Sequence, residues 1–378
     1  MNKLYMSKPI MITAIGNNTE ETMKALLEGN QEGFIRNRNN ILVGRAKLSG
    51  EDLYDSILDS SIEQIKDDVL KVIGKVGKDK IGIAIGGCDY HSDAATKAHG
   101  DFLKNESFGD YCVDLQNPYR PIEKMKEAFD ITGPCFAIAS ACSSGNVAVI
   151  RAIDLILSGS VDAMIVGGID HASDLISSGF DSLSAISENK TNPFSKNREG
   201  ITLGDGSALF ILSKEKIFDF PVAVSGWGES SDGYNMTSPD PEGVSVKKIY
   251  IDALPMANKK SSDINYINLH GTGTAVNDEM EAKAVNAIFG DTIPCSSTKA
   301  MTGHTLGSAG AVGTAICAMT IASSQPALLP PHCYDGEYDD SLPKINLTKV
   351  GDKETVNCAM SDAFAFGGSN AVVILERV

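Results

Sequence analysis

Gly133-Pro134-Cys135-Phe136-Ala137-Ile138-Ala139-Ser140-Ala141-Cys142-Ser143-Ser144-Gly145 joins a short apolar run to a stretch in which Val147, Ile150, Ile153 and Leu157 recur at helical spacing. Gly133 and Pro134 open the segment, Cys135 to Ala139 predict a strand, and Asn146 to Leu157 predict a buried helix. Cys142 sits where one gives way to the other. Unpaired N–H groups and the positive end of the helix dipole favour thiolate there. Ser143, Ser144 and Gly145 leave room for a substrate carbonyl. A cysteine in this setting is either a nucleophile or a small core residue, and the segment alone does not choose.

Two downstream segments weight the choice. Ile264 to Leu269 reads as a strand that delivers His270 into the turn Gly271-Thr272-Gly273-Thr274, with a helix beginning near Asp278. Ser296-Ser297-Thr298-Lys299-Ala300-Met301-Thr302-Gly303-His304-Thr305-Leu306-Gly307 then places Lys299 and His304 on a small-residue loop running into a helix from Ala309 to Ala322. A lone histidine beside glycine is usually a turn residue. One cysteine and two such histidines, 128 and then 34 residues apart, are candidates for convergence in space.

With these motifs the chain resembles a β-ketoacyl-acyl carrier protein synthase of the thiolase superfamily, from about Ile81 to the C-terminus. Val166-Gly167-Gly168-Ile169-Asp170, Asn192 to Gly200, Leu203-Gly204-Asp205-Gly206 and Phe364-Ala365-Phe366-Gly367-Gly368-Ser369-Asn370 carry the likeness further. Both histidine motifs are present, as in the elongating (type I and II) group. The resemblance implies an α/β thiolase-like fold, with two pseudo-duplicated halves in a five-layered α-β-α-β-α arrangement. Its domains would be residues 1–213, with the cysteine, and 214–378, with the histidines and a gating loop. Alternating strand and helix signals agree, including the helix Thr19 to Leu27 and the strands Lys80 to Ile85, Asp162 to Val166, Ser207 to Leu212, Val222 to Trp227 and Ala371 to Leu375. No repeat is visible in the sequence itself.

The resemblance also assigns roles. Cys142 would take an acyl group from a phosphopantetheine thioester. His270 and His304, as neutral imidazoles, would donate to the thioester oxygen of a decarboxylating malonyl unit. The backbone N–H groups of Cys142 and Phe366 would form the oxyanion hole, with Phe366 also an aromatic gate on a loop freed by Gly367 and Gly368. Lys299 would orient this network or pair with Glu281, and Glu281 and Asp278 would be structural groups near the site. Thr272 and Thr274 either hydrogen-bond the pantetheine arm or shape their turn, and Phe180 either lines the acyl pocket or is core. Asn192 to Gly200 and Leu203 to Gly206 are expected to be structural loops. His91, His99, His171 and His332 have no motif around them.

Two positions depart from the family's usual Asn-Ser-Phe-Gly-Phe-Gly-Gly-Thr-Asn pattern. Asp362 stands for an amide, and Ala365 stands for a glycine beside the gate. They point to a specialised synthase, for polyene, polyketide or other secondary lipid assembly. Two rivals are a catalytically dead chain-length partner, which usually loses the cysteine, and a thiolase, which needs a second catalytic cysteine. Cys358 lies on a predicted strand and does not fit that second role.

Composition excludes several classes. No run approaches 18 apolar residues, and Pro9 to Ile15 reads as a first strand rather than a signal peptide. The eight cysteines form no C-x-x-C pair, so neither a disulfide framework nor a zinc site is expected; a cytoplasmic location is. A net charge of −16 opposes nucleic-acid binding. The expected partners are an acyl carrier protein and a second subunit, in a homodimer or a related heterodimer; no cofactor or metal is expected. Carrier proteins are acidic, so Lys66, Lys71, Lys75, Lys78 and Lys80, or Lys124 and Lys126, are candidate docking cations, against a reading as solvated helix faces.

Overall fold

In the computed structural model, which describes residues 3–50 and 52–378, twelve strands form one mixed sheet. In chain order these are β1 (Leu4–Met6), β2 (Ile10–Thr13), β3 (Ile81–Gly86), β4 (Cys135–Ile138), β5 (Ala163–Asp170), β6 (Gly206–Ser213), β7 (Val222–Ser231), β8 (Tyr266–Asn268), β9 (Pro294–Ser296), β10 (Asn346–Leu347), β11 (Cys358–Phe364) and β12 (Ser369–Arg377). In space the first half runs β4-β3-β5-β6-β2 and the second runs β9-β8-β11-β12-β7. Both halves have the same directions: two parallel pairings followed by two antiparallel ones. Each half therefore repeats one strand order, a duplication carried by topology where sequence identity has faded. Strand β1 pairs with both β6 and β7 and joins the two halves.

The helices named here are α1 (Thr19–Leu27), α2 (Leu53–Val76), α3 (Ser92–Asn105), α4 (Arg120–Phe129), α5 (Ser144–Leu157), α6 (Asp174–Ser182), α7 (Val244–Met256), α8 (Ala275–Phe289), α9 (Lys299–Thr302) and α10 (Ala309–Ala322). Helices α5 and α10 touch each other and lie between the two halves of the sheet, α2 and α4 cover the first half outside, and α7, backed by α8, covers the second. This is the five-layered thiolase fold. Every residue of β5 and β6 is buried, as strands covered on both faces require. The central helices approach closely because Gly145 has no side chain: a Cβ there would lie 2.6 Å from the Ala311 nitrogen.

The sequence reading lacked α2, although Tyr54, Ile57, Leu58, Ile65, Val69 and Val72 bury one face at helical spacing. Lys66, Lys71 and Lys75 lie on its exposed face. Lys66 pairs with Glu63 at 3.2 Å, and Lys71 lies over the Phe218 ring. Lys124 is held by Asp55 and Asp59 at 2.9 and 2.8 Å. The segment from 88 to 117 contains α3. Among the described residues no helix is long and apolar enough to cross a membrane.

Candidate active site

Strand β4 ends at Ile138, and the chain turns into α5 through Ala141, whose φ of +50° is left-handed. That conformation costs an L-residue about 1–2 kcal/mol and places Cys142 at the turn's apex. The loop is pinned to its neighbour: the Ser143 hydroxyl donates to the Ser140 carbonyl at 2.8 Å and its oxygen lies within hydrogen-bond reach of Ser369 Oγ, at 2.9 Å, tying the cysteine loop to the Phe366 loop.

Cys142, His270 and His304 converge. One ligating atom from each lies within 4.8 Å of the others, all three residues are buried, and the imidazole centroids are 5.3 Å apart. They sit in a cavity of about 390 Å³, also lined by Phe180, Thr272, Thr274, Phe364 and Phe366. Lys299, Glu281 and Asp278 stand behind this wall and hold His270 and its turn. Glu281 accepts the backbone N–H groups of His270 and Gly271, each at 2.6 Å, while the Lys299 ammonium donates to the His270 carbonyl. No direct Lys299–Glu281 ion pair occurs among the described residues; the two grip opposite ends of one peptide unit instead. Asp278 accepts from Phe194 N–H at 2.8 Å and from Gly273 N–H at 3.1 Å. Thr272 and Thr274 hydroxyls are 3.0 Å apart at the wall. Gly367 shapes the Phe366 loop without lining the cavity, at φ +82°.

Electrostatics set the resting protonation. Burial pushes the Cys142 thiol up to about 11, outweighing the charge of Lys299 and the backbone N–H groups of Phe366 and Cys142, which favour thiolate. The sequence expectation of a dipole-stabilised thiolate is thereby corrected: desolvation wins, and the resting group is a thiol. Burial also drives His270 and His304 well below the usual imidazole range, reinforced by the charge of Lys299, so both are neutral. His304 Nδ1 accepts Leu306 N–H at 3.2 Å, which leaves the ring proton on Nε2. A metal at Nε2 needs that lone pair and a proton on Nδ1, facing the Leu306 N–H. Cys142, His270 and His304 are therefore close enough for a metal, but the His304 tautomer is that of a hydrogen-bond donor into the cavity.

The gate is as specific. Ala365 is extended, with φ −118°, so alanine substitutes there without strain. Phe366 is partly exposed and its ring lies 5.5 Å from that of Phe180. Arg198, Glu199 and Gly200, expected to be structural only, form part of the cavity wall, as do Ile201 and Thr237 to Pro239. Arg198 is anchored to Asp339 at 2.6 Å. No signal in the local pattern reveals this, because the loop is drawn in by a partner far along the chain. Two further histidines serve structure: His332 bridges Ser297 N–H and the Pro193 carbonyl, and His171 sits between Asp205 and Asp93, each 3.0 Å away.

A cysteine and two neutral histidines at the head of a central helix in a thiolase fold define a ketosynthase-type site, and comparison with known proteins agrees. The profile "Beta-ketoacyl synthase, N-terminal domain" matches residues 124–216, and "Beta-ketoacyl synthase, C-terminal domain" matches 222–333. The Nodulation protein E of Rhizobium meliloti is 30% identical over 79% of this chain and 75% of its own length. The 3-oxoacyl-[acyl-carrier-protein] synthase 1 of Haemophilus influenzae is 27% identical over 97% of each chain. A solved complex of a ketosynthase (ApeO) with its chain length factor (ApeC) from Xenorhabdus doucetiae superposes with a TM-score of 0.91 at 33% identity, covering 100% of this chain and 98% of that one. The chain belongs to the β-ketoacyl synthase family of fatty acid and polyketide condensing proteins.

Proposed function

We propose that the protein is a β-ketoacyl-acyl carrier protein synthase, joining an acyl thioester to malonyl carrier protein with loss of CO2. The observation that carries this reading is the convergence of the Cys142 sulfur with His270 and His304 in one buried cavity. Cys142 attacks the acyl thioester: its S–C bond forms, the carrier's S–C bond breaks, and the thiol proton leaves with the carrier thiol. Malonyl thioester then enters, its C–C bond to the carboxylate breaks, and the resulting enolate oxygen receives hydrogen bonds from the neutral histidines. The enolate carbon attacks the acyl-cysteine carbonyl. The tetrahedral oxyanion is held by Cys142 N–H and Phe366 N–H, a device worth about 3 kcal/mol per donor. Collapse expels the Cys142 thiolate, whose high proton affinity lets it take a proton from water and return to the thiol.

Phe180 and the apolar wall receive the acyl chain, Thr272 and Thr274 the pantetheine arm, and Phe366 with Gly367 the exchange of substrates. The division into residues 1–213 and 214–378 supplies the nucleophile from one half and the donors from the other. The partners are an acyl carrier protein and a second thiolase-fold subunit, identical or related. The solved ketosynthase with its chain length factor supports the related case. Retention of Cys142 argues against this chain being a dead partner. Intact-mass spectrometry with acyl carrier thioesters of varied length tests the reading. An adduct on the native chain, absent in Cys142→Ala and converted to ketoacyl product by malonyl carrier, is expected. No adduct with any primer, alone or with a related subunit, would sink it.

A further inference from the structure

Asp362 is the polar group of this region that the mechanism leaves unused. It lies on β11, in a sheet register where Ser361 pairs with Asn268, two residues before His270. Its side chain is buried; Tyr250 O–H donates to Oδ2 at 2.6 Å, and Oδ1 has no partner among the described residues. An orphaned buried carboxylate oxygen is costly as an anion and acceptable as a protonated carboxyl. The neighbours press the same way. Burial and the neighbouring Asp362 raise Glu281 as well, but both of its oxygens accept backbone N–H groups, which favour its anion, whereas Asp362 Oδ1 accepts none. The ionisable groups around Asp362 are Tyr250 from α7, Glu281 from α8, Cys295 from β9, Lys299 from α9 and Cys317 from α10. Among these, Lys299 is the cation.

We propose that Asp362 is a positioning residue that stays protonated while the malonyl unit decarboxylates. Its ionisation slows that half-reaction by adding a second anion beside the Lys299–His270 clamp. The inference rests on the synthase reading. The enolate is itself an anion, so an added negative charge behind His270 raises its energy, whereas acyl transfer to Cys142 forms no enolate. Burial lifts Asp362 to about 7, offset in part by the Tyr250 hydroxyl and by Lys299, which puts the change near neutrality.

The test measures CO2 release from malonyl carrier protein against pH in the native enzyme and in Tyr250→Phe. The native rate falls about tenfold from pH 6 to pH 8 if one proton governs it. Tyr250→Phe removes the donor that favours the Asp362 anion, so the fall moves to higher pH. If Lys299 governed the fall, the weaker anion beside it would move the fall to lower pH. A fall that moves down or stays in place therefore overturns the proposal. Infrared difference spectra give a readout independent of turnover: a protonated-carboxyl C=O band that titrates near neutrality and disappears in Asp362→Asn is expected, and its absence also overturns the proposal. Failure of Cys142 to acquire an acyl group would instead strike the synthase reading, leaving the band to judge Asp362.

Discussion

His304 Nδ1 accepts the backbone N–H of Leu306 at 3.2 Å, so the ring's remaining proton is committed to Nε2 and to the cavity. Burial keeps the ring neutral, and the same fold that hides His304 makes it a donor rather than an acid. His304→Ala should leave acylation of Cys142 intact while lowering condensation by about 10²–10³, the usual loss for one donor to a developing oxyanion. Single-turnover acylation and steady-state condensation, measured separately, check this. Equal loss in both would remove the assignment of His304 to the enolate.

Cys142 is a thiol at neutral pH, and the charge of Lys299 draws its pKa down against burial. Alkylation by iodoacetamide should therefore quicken as pH rises toward 11. Burial lowers Lys299 itself to about 8, so Lys299→Met should slow alkylation below that pH, where the thiolate has its cation, and match the native profile above it. An unshifted profile would mean that Lys299 acts on His270 alone.

Gly367 and Gly368 both have positive φ, +82° and +74°, but their surroundings differ. A Cβ on Gly367 meets nothing within 4 Å, whereas one on Gly368 lies 2.9 Å from Asp232 Cβ. Gly367→Ala should cost about 1 kcal/mol, from backbone strain alone. Gly368→Ala should cost roughly 2–3 kcal/mol, with the clash added. Denaturant unfolding ranks them, and the reverse order would show that the gate's constraint lies elsewhere.

His171 supplies a pH dependence of stability. Burial lowers its pKa, but the Asp205 and Asp93 carboxylates outweigh this and raise it from 6.5 to about 10. A folded-state pKa above the unfolded one means stability that is full below pH 6.5 and lost as pH rises toward 10. Melting temperature should fall across that window in the native chain and less steeply in His171→Gln. Parallel slopes would show that His171 is not the group responsible.

The cysteine junction, the two histidine turns and most of the β/α alternation were legible because each is written in neighbouring residues. Period-two and helical apolar patterns set strands and helices, and glycine beside histidine sets turns. Helix α2 escaped because its six-residue apolar stripe is interleaved with lysines that drew the reading toward charge. Arg198 to Ile201 escaped because the Arg198–Asp339 pair joins residues 141 apart.

By itself the sequence determined which groups could do chemistry and the local elements that carry them: a thiol at a helix start, imidazoles beside glycine turns, a lysine in a small-residue loop. Only the tertiary structure decided their states. Whether Cys142 is thiol or thiolate turns on desolvation against dipole, and burial is a property of the packed layers. The grip of Glu281 and Lys299 on opposite ends of the His270 peptide, the tautomer of His304 and the orphaned oxygen of Asp362 follow for the same reason. Hydrogen bonding and dielectric depend on what other segments bring alongside, and that is settled when the two halves of the sheet close around α5 and α10.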